Sequence, residues 1–285
     1  ISAFNNVGMT LFTGGLSNEQ VKVSYMLHLL FATMIFMGAF GFSSIRDIFS
    51  IRANKERLRL PWKSYRLSTK IALYSTAVLT VCGTVVFLLI ENNNTLSGLN
   101  SMEKIIASIF QIVNRTSGFN TVDIGSLAHP TLIMMIFLMF IGANSGSTGG
   151  GIKTSTFTII MVSAIATIRG KKNLEIFKYN IPWELLNRAF SIFIFSTSFI
   201  FLSAFFLSML EPEMNIMALV FEAVSAFATT GYSMGITADL SPVSKYIIIL
   251  SMFVGRIGTL TIAFALSKRV KTVAYKYPNA QFMVG

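Results

Sequence analysis

Three short segments of this chain share a run of small polar residues that ends in a single glycine. The glycines are Gly8, Gly118 and Gly231, which lie 110 and then 113 residues apart. A recurrence over this distance indicates an internal repeat of a whole structural unit. In ion filters, backbone carbonyl groups turned inward replace the hydration shell of a cation. The pattern therefore predicts a cation-coordinating backbone and no reactive side chain.

The glycine loops belong to a chain whose composition suits a lipid bilayer. Its 285 residues are 53% hydrophobic and 12% charged, with a mean hydropathy of +0.65, which is more apolar than a soluble core requires. Apolar runs of about 20 residues cross a bilayer. They predict crossings at 24–43, 70–90, 189–210 and 245–267, and an interrupted crossing at 131–168.

The crossings and loops combine into two complete units, 70–168 and 189–267. Each unit contains a crossing helix, a short helix, a glycine loop and a second crossing helix. The short helices, predicted at 103–115 and 214–228, are too short to span, so we expect them to enter from outside and stop midway. Residues 1–5 are interpreted as the last turn of an earlier short helix, and the chain as a fragment.

The glycine loops must then face a pore, because non-helical backbone at membrane depth is tolerated only where protein buries it or water lines it. Glycine adopts the backbone angles that turn carbonyls inward without strain. The C-terminal end of a short helix adds a partial negative charge that favours a cation. The alternative is that these glycines only allow close packing of helices.

The interruption at 142–154 contains too many glycines and hydroxyl residues to stay helical. It predicts an unwound loop at mid-membrane, called here the 142–154 loop. Part of it looks like a phosphate-binding loop, but Ile152 separates Gly151 from Lys153 and no strand–helix context precedes it. Nucleotide binding is therefore the weaker interpretation of this loop.

The formal net charge of +11 comes from basic residues beside the membrane ends, in blocks at 46–70, 169–188 and 268–276. If the crossings alternate, all three blocks lie on one side, which the positive-inside rule places in the cytoplasm. This distribution argues against nucleic acid as the partner. One cysteine and two histidines give no basis for a disulfide or a metal cluster. No paired carboxylates or nucleophile with a base stand out, which argues against an enzyme.

Four motifs carry a resemblance to a known family. They are Ser-Ala-Phe-Asn-Asn-Val-Gly ending at Gly8, Asn-Arg-Thr-Ser-Gly-Phe-Asn-Thr around Gly118, Asn-Ser-Gly-Ser-Thr-Gly-Gly-Gly-Ile-Lys-Thr within 142–154, and Val-Gly-Arg-Ile-Gly around Arg256. Together they resemble the Ktr/Trk/HKT potassium-transporter superfamily, and most closely its Ktr-type membrane subunit. The likeness covers essentially the whole chain.

The resemblance implies an all-α membrane protein, in which pseudo-fourfold repeats of M1, pore helix, filter loop and M2 surround a central pore. Residues 1–50 would hold the second filter loop and its M2, and 51–168 the third repeat with a gating loop at 142–154. Residues 169–267 would be the fourth repeat and 268–285 a cytoplasmic tail. The first repeat and part of the second would be missing from this chain.

The resemblance also implies residue roles. Potassium would be coordinated by backbone carbonyls of Asn6, Val7, Gly8, Thr116, Ser117, Gly118, Thr229, Thr230 and Gly231. The gate would comprise Gly146, Gly149, Gly150, Gly151 and Lys153, with Arg256 reaching the loop from midway along the last crossing.

A further hypothesis concerns two charges on the short helices. A salt bridge between Arg115 and Glu222 would brace neighbouring filter loops, because each charge would otherwise be unpaired at a low-dielectric site. An extracellular Glu222 is the alternative.

The implied function is passive potassium uptake across a bacterial cytoplasmic membrane, with potassium as substrate and sodium as a possible activator. No cofactor is expected in this chain, and its C-terminus would be cytoplasmic. The implied partners are a second copy, as a homodimer, and a cytosolic nucleotide-binding regulatory ring (KtrA-like). The basic blocks 46–70 and 169–188 would dock that ring or, equally, set topology and contact anionic lipid. A sodium-selective or sodium-coupled transporter of the same superfamily and a non-conducting structural subunit are the alternatives.

Overall fold

The computed structural model describes residues 1–11, 15–17, 24–60, 64–171, 173–258 and 261, and its described part is mainly helical. The helices are α1 (Tyr25–Phe40), α2 (Phe42–Phe49), α3 (Ile51–Arg59), α4 (Leu67–Glu91), α5 (Ser101–Val113), α6 (His129–Phe140), α7 (Thr154–Ile168), α8 (Trp183–Leu210), α9 (Ile216–Ala228) and α10 (Pro242–Ile257). A two-stranded antiparallel hairpin, β1 (Glu175–Ile176) and β2 (Tyr179–Asn180), precedes α8.

Two of the described helices, α4 with 25 residues and α8 with 28, are long and apolar enough to cross a membrane. The pair α1 and α2 makes a third span if it is one element, but it bends by 103°. The bend lies at Gly41, whose φ is 88°, and a Cβ there would lie 2.5 Å from the Ser145 carbonyl oxygen. The predicted crossing at 24–43 therefore ends as a helix at Phe40, because the 142–154 loop packs against the chain at Gly41.

The last predicted crossing, 245–267, also differs from the structure. Helix α10 ends at Ile257, and Gly258 follows with a φ of 95°. Arg256 thus lies in the last turn of α10, two residues before this break, and most of the remainder of the predicted crossing lies outside the described residues. The predicted tail 268–285 lies outside the described residues, as does the basic block at 268–276.

The two short helices occur where the apolar pattern predicts them. Helices α5 and α9 have 13 residues each, which is too short to span. Asn100 and Glu103 form a reciprocal capping box at the start of α5. Helix α9 is buried along most of its length, and Phe221, Val224 and Phe227 of α9 belong to the largest apolar cluster, together with residues of α4, α6 and α8. The centre of the described structure is therefore the place where the short helices end.

A carboxylate at the end of the first long helix joins the two crossing helices in both units. Glu91 accepts hydrogen bonds from the Ala128 backbone N–H (3.0 Å) and the Thr131 hydroxyl (2.5 Å). Glu211 accepts them from the Ser241 N–H (2.8 Å) and the Ser244 hydroxyl (2.7 Å). In both units these donors stand ten and thirteen residues after the loop glycine, so the internal repeat extends to side-chain contacts.

The interrupted crossing is formed by α6 and α7, with irregular backbone between Phe140 and Thr154. A bridge between Ile141 and Ile152 closes the base of this segment. There the Gly142 N–H donates to the Ile152 carbonyl (2.9 Å), and the Thr154 N–H donates to the Ala143 carbonyl (3.2 Å). The unwound segment is thus a closed loop that returns to its starting point before α7 begins.

Candidate functional site

The three glycine loops share an unusual backbone. Gly8, Gly118 and Gly231 have φ values of 79°, 73° and 89°, a region that residues with a Cβ atom reach only with strain. Two residues before the glycine, Asn6 and Thr229 also have positive φ, at 51° and 52°. For threonine, which is β-branched, this conformation is uncommon and marks a constrained site.

The loops lie directly against one another. A Cβ built on Gly8 would lie 2.2 Å from the Ser117 carbonyl oxygen, and one built on Gly118 would lie 2.2 Å from the Thr230 carbonyl oxygen. Real Cβ atoms do not approach oxygen so closely, so neither position accepts another residue without movement of the backbone. The two contacts place the three loops next to one another in chain order.

Side chains also connect neighbouring loops. The Thr116 hydroxyl lies 3.1 Å from Asn6 Oδ1 and donates to it, and the Thr230 hydroxyl donates to the Arg115 carbonyl at 3.2 Å. Asn6, Thr116 and Thr230 contribute through their side chains, and Arg115 contributes through its backbone carbonyl. Each of these residues is at most 4% exposed. The loops are therefore held together by buried hydrogen bonds as well as by backbone contact.

Sequence reasoning missed a side chain that connects the Gly118 loop with the Gly231 loop. The Tyr232 hydroxyl lies 3.3 Å from the Gln111 carbonyl and 3.2 Å from the Phe119 carbonyl, and it donates to one of them at a time. Its side chain is 2% exposed. An aromatic residue directly follows the glycine in both loops, as Phe119 and Tyr232, and this was the available signal.

The 142–154 loop lies beneath these loops. A Cβ on Gly150 would lie 2.2 Å from Thr229 Oγ1, and a Cβ on Gly149 would lie 3.8 Å from Thr116 Cβ. Gly151 has a φ of 74° and faces Ala228 at the end of α9. Glycines at these positions allow the two backbones to approach. Of the glycines named from the sequence, Gly150 thus meets the Gly231 loop and Gly151 meets the end of α9, whereas Gly146 lies against Ser43 of α2.

Hydrogen bonds hold the 142–154 loop at its root. Asn144 donates to the Thr76 hydroxyl of α4 at 3.1 Å and accepts from the Thr154 hydroxyl. At the Gly146 end, the Gly146 carbonyl accepts from the Phe42 N–H at 3.1 Å. Polar contacts therefore hold this glycine-rich loop in place.

Two cationic side chains bind adjacent carbonyls of the same loop. Arg256 Nη1 donates to the Thr148 carbonyl at 2.6 Å, and Lys153 Nζ donates to the Gly149 carbonyl at 2.5 Å. Although α10 ends earlier than predicted, Arg256 does reach the loop. The cations neutralise the partial negative charge of the carbonyls that face them.

The ion pair predicted between Arg115 and Glu222 does not form among the described residues. Glu222 instead accepts hydrogen bonds from the hydroxyls of Ser233 and Thr237, which follow the loop glycine of its own unit. Arg115 is 4% exposed and lies near the Tyr232 ring. Hydroxyl groups close in sequence satisfied the carboxylate, so it did not need the guanidinium of the other helix.

The chemistry available at the site is that of backbone oxygens. No group of three or more His, Cys, Asp or Glu side chains placed to hold a metal ion occurs within the part of the chain that the structure describes. Helices α5 and α9 both end at the glycine loops, so their C-terminal dipoles add negative potential there. A centre of carbonyls and helix C-termini suits a monovalent cation.

A helical fold in which glycine loops and helix ends lie together indicates a cation transport protein, and comparison with known proteins gives the family. The family model TrkH, described as a cation transport protein, matches residues 1–275. The chain therefore belongs to the TrkH family of cation transport proteins, which confirms the resemblance of its motifs.

Several characterised relatives match the whole of this chain. Ktr system potassium uptake protein B is 38% identical over 290 residues in Vibrio alginolyticus and 37% identical over 290 residues in Bacillus subtilis (strain 168). Potassium/sodium uptake protein NtpJ of Enterococcus hirae is 34% identical over 292 residues. The chain spans only 61 to 62% of the length of these relatives.

A solved structure has the same fold. The crystal structure of the potassium transporter TrkH from Vibrio parahaemolyticus superposes with a TM-score of 0.77, at 17% sequence identity. The match covers 93% of this chain and 56% of that one. At this identity the likeness shows the fold alone.

Proposed function

We propose that this protein takes up potassium across the bacterial cytoplasmic membrane, through a filter of single-glycine loops that the 142–154 loop gates. The observation that carries the proposal is the mutual contact of the three loops. The glycines have positive φ, and two of them lie against a carbonyl of the next loop, with no room for a Cβ. Such a ring presents backbone oxygens to a central ion.

The filter residues are those named from the sequence, namely Asn6, Val7, Gly8, Thr116, Ser117, Gly118, Thr229, Thr230 and Gly231. Their side-chain contacts support the proposal, because the polar side-chain groups of Asn6, Thr116 and Thr230 form hydrogen bonds with neighbouring loops. The backbone carbonyls are then left to the ion. A filter with one glycine per loop stacks few carbonyl rings, so its selectivity is softer than that of a longer filter.

The gate comprises Gly146, Gly149, Gly150, Gly151 and Lys153 with Arg256. Its support is the seating of the loop under the filter, together with the two cations on its carbonyls. In this position the loop obstructs the path below the filter, and Lys153 and Arg256 add repulsion against a permeating cation. Opening requires that Arg256 release the Thr148 carbonyl.

In the whole protein, we infer a fourth filter loop from a first repeat, in keeping with the greater length of the relatives. Sodium acts as an activator in this proposal. A second copy forms the homodimer, and a KtrA-like nucleotide-binding ring binds the cytoplasmic face, in keeping with the Ktr system named for two relatives. The basic blocks at 46–70 and 169–188 form the docking surface, and the C-terminus is cytoplasmic.

A sodium-selective or sodium-coupled transporter is the second candidate. It is favoured by one relative whose name includes both potassium and sodium. The filter loops seen here do not favour it, since all three positions are glycine and a serine would be expected in one of them. Both candidates use the same pore, and they differ in the ion that the filter prefers.

The test is potassium uptake by the full-length protein in cells that lack their own uptake systems and grow at limiting potassium. The variants are Gly118→Ser and Gly231→Ser, which place a Cβ at positive φ in the filter. We expect both variants either to admit sodium or to lose rescue of growth, with an uptake rate at least about ten-fold lower than that of the wild type. A loss of 1.4 kcal/mol in the binding free energy of the ion corresponds to about a ten-fold change in affinity.

The matched control is Gly98→Ala, because no atom lies within 4 Å of a Cβ at Gly98 and its φ is not in the positive region. This variant should support growth like the wild type. Normal rescue by both serine variants would remove the loops from the conduction path and favour a non-conducting structural subunit. Sodium transport by the wild type itself would favour the second candidate.

A further inference from the structure

Two residues of the 142–154 loop, Thr148 and Gly150, contact different filter loops at the residue two before the glycine, and Gly149 between them faces the remaining loop. Thr148 binds Asn6, with 2.7 Å between Thr148 Oγ1 and Asn6 Nδ2. A Cβ on Gly149 would lie 3.8 Å from Thr116 Cβ, and a Cβ on Gly150 would lie 2.2 Å from Thr229 Oγ1. Residues 148–150 of the 142–154 loop thus follow the three filter loops in chain order and touch the first and the third.

The Thr148 contact differs from the other two because it is a side-chain hydrogen bond. Its hydroxyl accepts from Asn6 and donates either to the Phe4 carbonyl (3.1 Å) or to the Gly38 carbonyl (3.2 Å). A threonine hydroxyl can do both at once, since it has one donor and two acceptor positions. Thr148 therefore connects the gate to the first filter loop and to α1.

Asn6 extends the same connection to a second filter loop. Its side chain is 2% exposed, and its Oδ1 accepts from the Thr116 hydroxyl at 3.1 Å while its Nδ2 donates to Thr148. One buried amide therefore lies between the gate and two filter loops. If Thr148 moves away, the buried N–H of Asn6 loses its partner, which is costly unless the side chain turns.

A turn of Asn6 would change the filter itself. Asn6 has a φ of 51°, a left-handed conformation that asparagine adopts more readily than most other residues. Its backbone carbonyl is one of the proposed potassium ligands. The other side of Thr148 is bound by Arg256, at the Thr148 carbonyl, so one gate residue lies between α10 and the filter.

We propose that Thr148 and Asn6 form a latch that makes the ion selectivity of the filter depend on the position of the gate. The seated loop fixes the Asn6 amide and with it the carbonyls of the Gly8 loop. When the loop leaves, the amide is released and the filter relaxes toward weaker discrimination between potassium and sodium. This inference rests on the proposed function of the two loops.

The test uses the full-length protein in the same uptake-deficient cells and measures two quantities. The first is the maximal rate of potassium uptake, and the second is the selectivity ratio, which is the amount of sodium taken up per potassium from a medium that contains both ions. Thr148→Val removes the hydroxyl and keeps the shape, whereas Thr148→Ser keeps the hydroxyl. Asn6→Gly removes the amide from a residue at positive φ without adding backbone strain.

We expect Thr148→Val to change the selectivity ratio by at least about five-fold, the size of one net hydrogen bond, and Thr148→Ser to restore it. Asn6→Gly should change the ratio in the same direction. The double variant should match the stronger single variant, because two residues that act through one contact are not additive. Additive effects on the ratio, or an unchanged ratio with Thr148→Val, would overturn the latch.

The matched control is Ser145→Ala, which removes a hydrogen bond of the same loop, to Ser155 at 2.7 Å, without touching the filter. It should alter the uptake rate and leave the selectivity ratio as in the wild type. A shift of the ratio as large as that of Thr148→Val would show that any lost loop contact has this effect, and would overturn the specific role of Thr148. Where Thr148→Val yields too little folded protein, Thr148→Ala removes the same hydroxyl and takes its place as the deciding variant. Failure of the proposed function itself is recognised separately, because Gly118→Ser would then take up potassium like the wild type.

Discussion

The 70–168 and 189–267 units follow one plan up to the second crossing helix and differ there. Each has a long first helix, a short helix of 13 residues and a carboxylate that binds the start of the second crossing. In the 189–267 unit, that crossing is a helix up to Gly258. In the 70–168 unit it breaks between Phe140 and Thr154, and the 142–154 loop fills the gap.

A glycine at the same position in both units shows which contact this difference changes. Gly142 and Gly255 both stand 24 residues after the glycine of their own loop. A Cβ on Gly255 would lie 1.7 Å from the Phe227 carbonyl at the end of α9, whereas a Cβ on Gly142 would lie 2.1 Å from the Gly150 carbonyl of its own loop. The inserted loop thus replaces a contact between helices with a contact to itself.

The largest effect that separates the units is expected from Gly255→Ala. A Cβ at this site requires α9 or α10 to shift, because the nearest atom is a backbone oxygen, and overpacking of this kind costs about 3 kcal/mol or more. We expect a clear drop in the midpoint temperature of thermal unfolding in detergent. Fluorescence-detected size-exclusion chromatography would measure this midpoint.

Gly142→Ala is the matched variant in the other unit, and Gly98→Ala is the neutral control. Because the Gly142 neighbour belongs to the loop, we expect a smaller loss of stability there and a larger change in uptake. Equal losses of stability at Gly142 and Gly255 would show that the loop is packed as firmly as a helix, and would break the comparison.

A smaller effect is expected at the carboxylates that join the crossing helices. Glu91 is fully buried and accepts from Asn94, Thr95, Ala128 and Thr131. Glu91→Gln places an amide against these donors and should cost about 2 kcal/mol, the penalty for leaving buried donors without a partner. Urea or thermal unfolding of the purified protein would measure it.

Glu211→Gln is the counterpart in the 189–267 unit. Glu211 accepts from Ser241 and Ser244 at a more open position, where water can replace the lost contacts, so its loss should be the smaller of the two. A greater loss at Glu211 than at Glu91 would contradict the burial argument.

The smallest expected effect is a pH dependence at Glu211. Hydrogen bonds from the Ser241 and Ser244 side chains and from the Ser241 backbone lower the pKa of this carboxyl below its usual value of 4.5. A lowered pKa in the folded state contributes stability above the unfolded pKa, and that contribution is lost as the pH falls through the folded pKa. The stability difference between wild type and Glu211→Gln should therefore be constant near neutral pH and shrink below about pH 4.5. A difference that grows on acidification would contradict this sign.

The amino-acid sequence determined the parts of this protein that depend on local pattern. Hydropathy located the long helices α4 and α8, and the length of the apolar runs separated them from the short helices α5 and α9. The spacing of Gly8, Gly118 and Gly231 revealed the repeat. Glycine and hydroxyl residues located the break between α6 and α7, because these residues weaken a helix wherever they occur.

Only the tertiary structure decided which groups meet across the repeats. The helix ends at Gly41 and Gly258 interrupt apolar runs, and the Gly41 end follows from the position of the 142–154 loop. Glu222 found hydroxyls in its own unit, while Arg115 lies near Tyr232. The physical reason is that a buried polar group takes the nearest suitable partner. In a chain of repeats, that partner is set by the order of the units around the centre, as for Asn6 and Thr148, which are 142 residues apart.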